Sequence, residues 1–265
     1  MDDPSSALLW VREKLEYFRY PNLFVYPHLF HGVFTRNGGY SEVPYHSLNI
    51  SYAVGDAPDY VTANLNRIRA SIGANRLVFM NQSHGADILV LRKDQTERLD
   101  GIPSADAIIT DVPLIALMVQ LADCQGVILF DPKKNVLANV HCGWRGNVQN
   151  ILERVVIRMK KDFGCVESNL LAGISPSLGP CCGEFVSHRD IFPDGFSRFR
   201  VRENYFDLWA ISRWQLENAG VRRGHIEVAG ICTRCRSDLF YSYRGEGKTG
   251  RFGAVAMLTP TLQKI

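Results

Sequence analysis

An α/β chain folded as one domain is what the sequence predicts, and three observations predict it. Short aliphatic runs bounded by turn residues recur at 114–121, 126–130, 136–140, 169–174 and 254–258, as strands are written. Between them, apolar residues return at steps of three and four over 59–72, 148–159 and 207–219, the period of helices with one buried face. No repeat, low-complexity run or linker divides the 265 residues, and their 46% hydrophobic content fills one substantial core.

Taken in order, Ser6 to Tyr20 place Leu8, Leu9, Val11, Leu15 and Phe18 as a short helix would, ended by Pro21. Residues 1–22 therefore read as a helical, peripheral N-terminal extension before a single domain over 23–265. From Leu23 the text is strand-like as far as Thr35-Arg36-Asn37-Gly38-Gly39, a turn whose glycines let backbone amides and Arg36 approach a ligand. Asp59 to Ile72 is a core-facing helix through Val61, Leu65, Ile68 and Ile72, stopped by Gly73. A strand, Arg76 to Met80, runs into Asn81-Gln82-Ser83-His84-Gly85, which sets His84 on a loop, where ligands and catalytic groups tend to sit.

Of the next two runs, Ala107 to Ile109 and Leu114 to Leu121, the second lacks polar alternation and reads as a strand buried on both faces. It delivers Asp123 and Cys124 at its carboxyl end. Gly126 to Phe130 and Val136 to Val140, joined by Asp-Pro-Lys-Lys-Asn, are two strands and a turn that put Cys124 and His141 near the rim of a sheet. The helix after Gly146 starts beside Trp144-Arg145-Gly146, where free amides favour an anion. A strand, Asn169 to Ile174, enters the Pro/Gly-rich loop Ser175 to Gly183 with Cys181 and Cys182. Asp207 caps a helix to Ala219, which Gly220 stops. Cys232-Thr233-Arg234-Cys235 and the basic, aromatic, glycine-rich stretch to Arg251 precede a last strand, Ala254 to Leu258.

Charge and cysteine content exclude several roles. The formal charge of +3 comes from 30 basic and 27 acidic residues without a basic block, so nucleic-acid binding is not the main role. Acidic residues follow Met1 where a signal peptide needs positive charge, and no apolar run approaches the roughly 18 residues of a membrane span. A cytoplasmic protein is expected. Seven cysteines there are free thiols, metal ligands or nucleophiles rather than a disulfide framework.

Three constellations carry chemistry. His84, Cys124 and His141 supply soft and borderline donors with a fourth position open, the pattern of a catalytic zinc. Cys124 and His141 equally suit a nucleophilic pair oriented by Ser83 or Asp123, and spacing does not separate a thiolate held by a metal from one held by imidazolium. Cys181, Cys182, Cys232 and Cys235 offer a structural zinc site, but adjacent cysteines are poor geometry for one tetrahedron, and reduced thiols are the simpler reading. Copper arrays need closely spaced His-x-His pairs, which the seven histidines never form, so copper fits less well than zinc.

The motifs T-R-N-G-G-Y-S, N-Q-S-H-G, A-D-C, N-V-H-C-G-W-R-G and S-Y-R-G-E-G-K-T-G-R, spread in order between Phe24 and Leu258, together resemble the YfiH-like family, long labelled laccase-domain or multicopper polyphenol oxidase proteins. The resemblance implies mixed sheets covered by helices in an architecture related to the deamidase domain of cytotoxic necrotizing factor. It implies zinc on His84, Cys124 and His141. It also implies phosphorolysis of purine nucleosides, methylthioadenosine included, and adenosine deamination; peptidoglycan editing and polyphenol oxidation are further attributed to members. Small-molecule nucleoside and phosphate are then the partners, with no nucleic acid and no membrane. Arg36, Arg145 and Arg244 become the phosphate candidates, Asn49 and Ser83 further substrate contacts, and Asp123 a base or a partner of the metal ligands. The alternatives are a metal-free cysteine hydrolase or amidase using Cys124 and His141, and a non-catalytic metal-binding or ligand-binding protein. The chain departs from the family pattern at Gly126, usually Pro, at Gly245, usually a second Arg, and at Cys142, usually Ala, whose thiol would compete as a ligand.

Overall fold

Strands apolar on both faces need cover on both sides, and the fold supplies it by stacking two six-stranded sheets between helices. The computed structural model describes residues 8–12, 14–96 and 101–260. The strands are β1 (Leu8–Arg12), β2 (Leu15–Arg19), β3 (Leu29–Phe34), β4 (Arg76–Val78), β5 (Ile88–Leu91), β6 (Ala107–Thr110), β7 (Ile115–Leu121), β8 (Gln125–Asp131), β9 (Val136–Cys142), β10 (Leu171–Ile174), β11 (Arg200–Arg202), β12 (Tyr205–Phe206), β13 (Ile226–Val228) and β14 (Phe252–Leu258). The helices are α1 (Pro21–Phe24), α2 (Pro58–Ser71), α3 (Lys93–Thr96), α4 (Trp144–Val148), α5 (Ile151–Phe163), α6 (His188–Ile191), α7 (Leu208–Asn218) and α8 (Tyr243–Glu246).

The first sheet runs β1-β2-β3-β14-β7-β4 and the second β13-β10-β8-β9-β6-β5, while β11 and β12 form a separate hairpin. Both large sheets are mixed, with parallel pairs at their edges (β4 with β7, β13 with β10, β5 with β6) and antiparallel ladders between. Along β7, Leu117, Val119 and Leu121 enter the core between the sheets, with Ile128, Phe130 and Leu137, while Ala116 and Met118 face Val61, Leu65 and Ile68 of α2. The outer face of the second sheet, including Ala138, Val140 and Cys142, lies beneath Ile151, Leu152, Val155 and Met159 of α5 and Leu216 of α7. Among the described residues no helix is long and apolar enough to cross a membrane.

Local chemistry sets the helix limits as expected, with one exception. Gly73 at φ 68° follows α2, Gly164 at φ 66° follows α5, and the Asp207 carboxylate accepts from Ala210 N at 2.9 Å at the start of α7. The exception is the single helix expected after Gly146, which is split by Asn150 at φ 53° into α4 and α5.

The N-terminal segment corrects the expected helix. Its strands Leu8–Arg12 and Leu15–Arg19 pair antiparallel, Leu8 opposite Arg19 and Arg12 opposite Leu15, and join the first sheet through β3. Strand alternation explains the reversal: Leu15 and Tyr17 pack on the α2 side, while Phe18 enters the inter-sheet core. Nor is the segment peripheral. The Tyr20 ring lies where a Cβ on Gly173 would meet it at 2.5 Å, and Asn22 Nδ2 donates to Ala172 O and His225 O at 3.2 and 3.0 Å. The turn Pro21–Phe24 is helical, so the strand expected from Leu23 begins at Leu29. Residues 1–7 of the expected extension lie outside the described residues.

Asn139 ties the layers together. From β9 in the second sheet its Nδ2 donates to Leu117 O at 2.9 Å and Ala254 O at 2.8 Å in the first. Asn139→Ala removes both bonds and leaves a void, so a loss of about 2 kcal/mol is expected. A urea denaturation series should show this as a lower midpoint with unchanged m-value.

Candidate active site

Two of the chain's crossings between sheets carry the site. β4 lies in the first sheet and β5 in the second, so the intervening loop passes from one to the other with His84 on it. Between β7 and β8 the chain makes the same passage through Ala122, Asp123 and Cys124. His141 comes from the end of β9, paired with Gly126 across the β8–β9 ladder. The ligand atoms of His84, Cys124 and His141 lie within 4.8 Å of one another, and the two imidazoles meet edge to face with centroids 4.8 Å apart. His84 at φ 60° and Asp123 at φ 84° both hold left-handed backbone conformations, which non-glycine residues keep only where the surroundings fix them.

For His84, Asp106 does that fixing. Fully buried, its carboxylate accepts from the amides of Ser83, His84 and Gly85 at 3.3, 2.9 and 2.8 Å and from Ser83 Oγ at 3.0 Å. It also meets His141 Nδ1 at 2.8 Å, which leaves Nε2 as the nitrogen to face Cys124. Burial alone would raise this carboxyl, but the bonds from His141, Gly85 and Ser83 outweigh it and hold it at about 2. Burial likewise opposes charge on Cys124, yet the His141 charge and bonds from His141 and His84 bring its thiol down to about 6. His141 responds in kind: burial is outweighed by Cys124 and Asp106, and it rises to about 9.

The neighbours are shaped to this trio. A Cβ on Gly143 would stand 2.7 Å from Cys124 Sγ and 3.5 Å from His84 Cδ2, so only glycine leaves the thiol's flank open. Cys142 does not compete for the site as expected. Strand alternation turns it to the outer face of the sheet, where Asn147 Nδ2 donates to its Sγ at 3.2 Å and burial pushes its thiol up. Gly126, too, has a reason. Its N–H donates to Ser175 Oγ at 2.8 Å, a bond proline cannot make, and an added Cβ would meet Ala254 and Leu121 at 2.9 Å.

A cleft of about 620 Å³ opens over the trio, with Trp144, Phe185, Tyr243, Arg244 and Arg251 in its walls. Asp123 also lines it, but its carboxylate accepts from Thr233 Oγ1 and Ser242 Oγ at 2.7 Å and from Arg244 N at 2.6 Å, which anchors the segment bearing Arg244. Arg244 Nη1 donates to Glu184 O at 2.8 Å. Ser83 Oγ is turned onto Asp106. Asn49 is buried and takes the amide of Arg251 on its Oδ1 at 2.8 Å. Arg36 lies outside the cleft lining, bonded to Glu246, Ser237 O and His46 O and stacked over Tyr241 at 4.3 Å. Arg145 is exposed on α4 over Trp144 at 5.1 Å and does not line the cleft either. Arg251 and Asp106 were not marked by the sequence. The only signals were an arginine closing a Thr-Gly-Arg turn and one acid before an apolar run.

Residues 30–259 match the model of the family described as multi-copper polyphenol oxidoreductase laccase, the YfiH-like proteins. The chain belongs to this family. A relative named purine nucleoside phosphorylase, from Bacteroides thetaiotaomicron, is 32% identical over 251 residues, covering 88% of this chain and 92% of its own. Another so named, YlmD of Geobacillus stearothermophilus, is 32% identical over 240 residues, or 83% and 86% of the two chains. The crystal structure of YlmD from Geobacillus stearothermophilus matches with a TM-score of 0.85 and 27% identity over 96% of this chain and 100% of that one. For a hypothetical protein YfiH of Bacillus licheniformis the TM-score is 0.83, at 26% identity and 97% and 98% coverage. The YfiH-like fold, with its mixed sheets covered by helices, is therefore as expected.

In metal-stripped protein the reactive form of Cys124 is the thiolate, populated above its depressed pKa. Alkylation of Cys124 by iodoacetamide, followed by peptide mass mapping, should rise with a midpoint near pH 6, and a midpoint in the ordinary thiol range would contradict the pairing. Stability should show little slope from this pair. Cys124 adds stability as pH rises from about 6 to 9, and His141 loses a similar amount over nearly the same window, from 6.5 to 9.

Proposed function

We propose that the chain is a zinc-dependent purine nucleoside phosphorylase. It would convert adenosine, inosine, guanosine or methylthioadenosine and inorganic phosphate to free base and ribose 1-phosphate or its methylthio counterpart, with adenosine deamination as a second activity of the same cleft. The observation that carries this reading is the convergence of His84, Cys124 and His141 with Arg244 and Arg251 in one cleft. The names of the relatives supply the reaction.

The residues fit zinc. One thiol already favoured as thiolate, two imidazoles within bonding range and an aspartate fixing the orientation of His141 are the parts of a catalytic site with an open position. Zinc bound there supplies divalent positive charge that polarises an oxygen of substrate or water. The two remaining groups of the cleft divide the substrate. Arg251, half-buried and supported by Asn49, and Arg244, held by Asp123, bind phosphate as guanidinium does, through paired hydrogen bonds. Trp144, Phe185 and Tyr243 offer faces for a purine. In phosphorolysis a phosphate oxygen bonds to C1′ as the bond from C1′ to N9 breaks; the electron pair leaves with the base, which takes up a proton. Asp123, with its oxygens committed to three donors, acts here by positioning Arg244.

A second reading rests on the thiolate–imidazolium pair itself: a metal-free cysteine hydrolase or amidase with Cys124 as nucleophile. Metal content separates the two. Purified protein supplied with phosphate should release adenine or hypoxanthine, lose this activity on chelation and regain it with zinc. His84→Ala and Cys124→Ala should each lower turnover by more than the ~10- to 100-fold that loss of a ligand's supporting partner costs, because each removes one of three ligands. Unchanged turnover in those variants, or full activity after the metal is stripped, would overturn the zinc reading.

Asp106→Asn keeps the shape but removes the charge behind His141. Metal affinity or kcat/KM should fall about 10- to 100-fold, the usual effect of losing a ligand's hydrogen-bonding partner. A competition titration against a chromophoric chelator, run beside the kinetics, measures both.

A further inference from the structure

A second group of soft donors lies away from the trio. The loop after β10 carries Cys181 and Cys182, the turn after β13 carries Cys232 and Cys235, and the four Sγ atoms lie within 4.8 Å of one another. Cys235 Sγ is 3.6 Å from Cys181 Sγ and 3.6 Å from Cys182 Sγ. That is far beyond the ~2.05 Å of a disulfide. It is close to ~3.8 Å, the edge of a tetrahedron whose corners stand about 2.3 Å from a central zinc.

The adjacent pair, an awkward ligand set on sequence grounds, is reconciled by the turn through Pro180, in which Cys182 N donates to Gly179 O at 2.9 Å and both sulfurs reach the same partner. Backbone bonds hold the two segments together on their own. Ser177 N donates to Ile231 O at 3.2 Å, Thr233 N donates to Ser177 O at 3.0 Å, and Gly179 N donates to Cys232 Sγ at 3.3 Å, as amides do to metal-bound thiolates. As neutral thiols the four can share this space; as thiolates they would need a cation among them.

We propose that Cys181, Cys182, Cys232 and Cys235 form a closed four-thiolate zinc site, structural rather than catalytic, that staples together two segments of the cleft wall. A shell of four protein ligands leaves no position for water or substrate. Leu178, on one stapled segment, lines the cleft, and Thr233, on the other, holds the carboxylate of Asp123. The site does not depend on the reaction proposed for the cleft.

Elemental analysis of the full chain, purified under reducing conditions without chelator, tests this. Cys181→Ser/Cys235→Ser should contain one zinc equivalent less than the parent protein, whereas Cys165→Ser should contain the same amount. His84→Ala/His141→Ala, with all four cysteines intact, should still bind cobalt after metal stripping and show an intense thiolate-to-cobalt charge-transfer band with tetrahedral d–d transitions. That measurement stands even if the serine variant fails to fold. Equal zinc in the parent and the serine variant, no such cobalt spectrum in the histidine variant, or a Cys181–Cys235 disulfide in the freshly purified protein would each overturn the proposal.

Discussion

A carboxylate with no exposure to water must be compensated where it stands, and the compensation of Asp106 organises everything around it. Three successive amides and a hydroxyl come from the loop between the sheets, and an imidazole comes from β9. One buried charge thus bends a loop through a left-handed residue, selects the nitrogen that His141 presents and sets the distance between two histidines far apart in the chain. The thiol completes the balance. With Asp106 negative and His141 positive, a negative Cys124 fits the remaining field.

The position of the site follows from the way the chain changes sheets. A strand that stays within its sheet ends in a turn, but one that hands the chain to the opposite sheet must run across the open end of the sandwich. His84 and Cys124 both ride on such passages, and β9 brings His141 to the same end. The cleft is the space these passages border, and the loops anchored by Asp123 and Asn49 complete it with arginines. Asn139 holds the two sheets together one pleat below, with side-chain bonds where apolar contact alone would leave the layers free to slide.

Much of this was legible in the sequence. His84, Cys124 and His141 stand out because polar groups break apolar runs at their ends, and runs such as Ile115 to Leu121 declare burial on both faces. The N-terminal hairpin was not legible: Leu8, Leu9, Val11, Leu15 and Phe18 happen to fit a helical spacing, and only the pairing of β2 with β3 makes alternate positions core. Asp106 was hidden because its partners lie on other elements, up to 35 residues away. The arginines were indistinguishable in the sequence. Arg36 and Arg145 differ from Arg251 only in where the fold points them: Arg36 is held by Glu246 and carbonyls outside the cleft, while Arg251, its Nη1 on the carbonyls of Thr249 and Gly250, lines it. The four clustered cysteines were legible as a set, but not their fit to one ion, because the bridge between Ser177 and Cys232 that unites their loops joins segments remote in the chain.

His141 and Cys142 are neighbours in the chain with opposite addresses in space: one faces the cleft, the other the dry side of the sheet beneath α5. The chemistry is thereby written as a parity. Were β9 to pair with β8 one residue out of step, the imidazole would be swallowed by aliphatic side chains and a second thiol would take its place beside Cys124. Two vicinal thiols are a site for oxidation, not for a substrate. The paired residues from Gln125–Cys142 to Asp131–Val136 therefore do more than hold two strands together, for they decide on every folding event which of two different molecules this chain becomes.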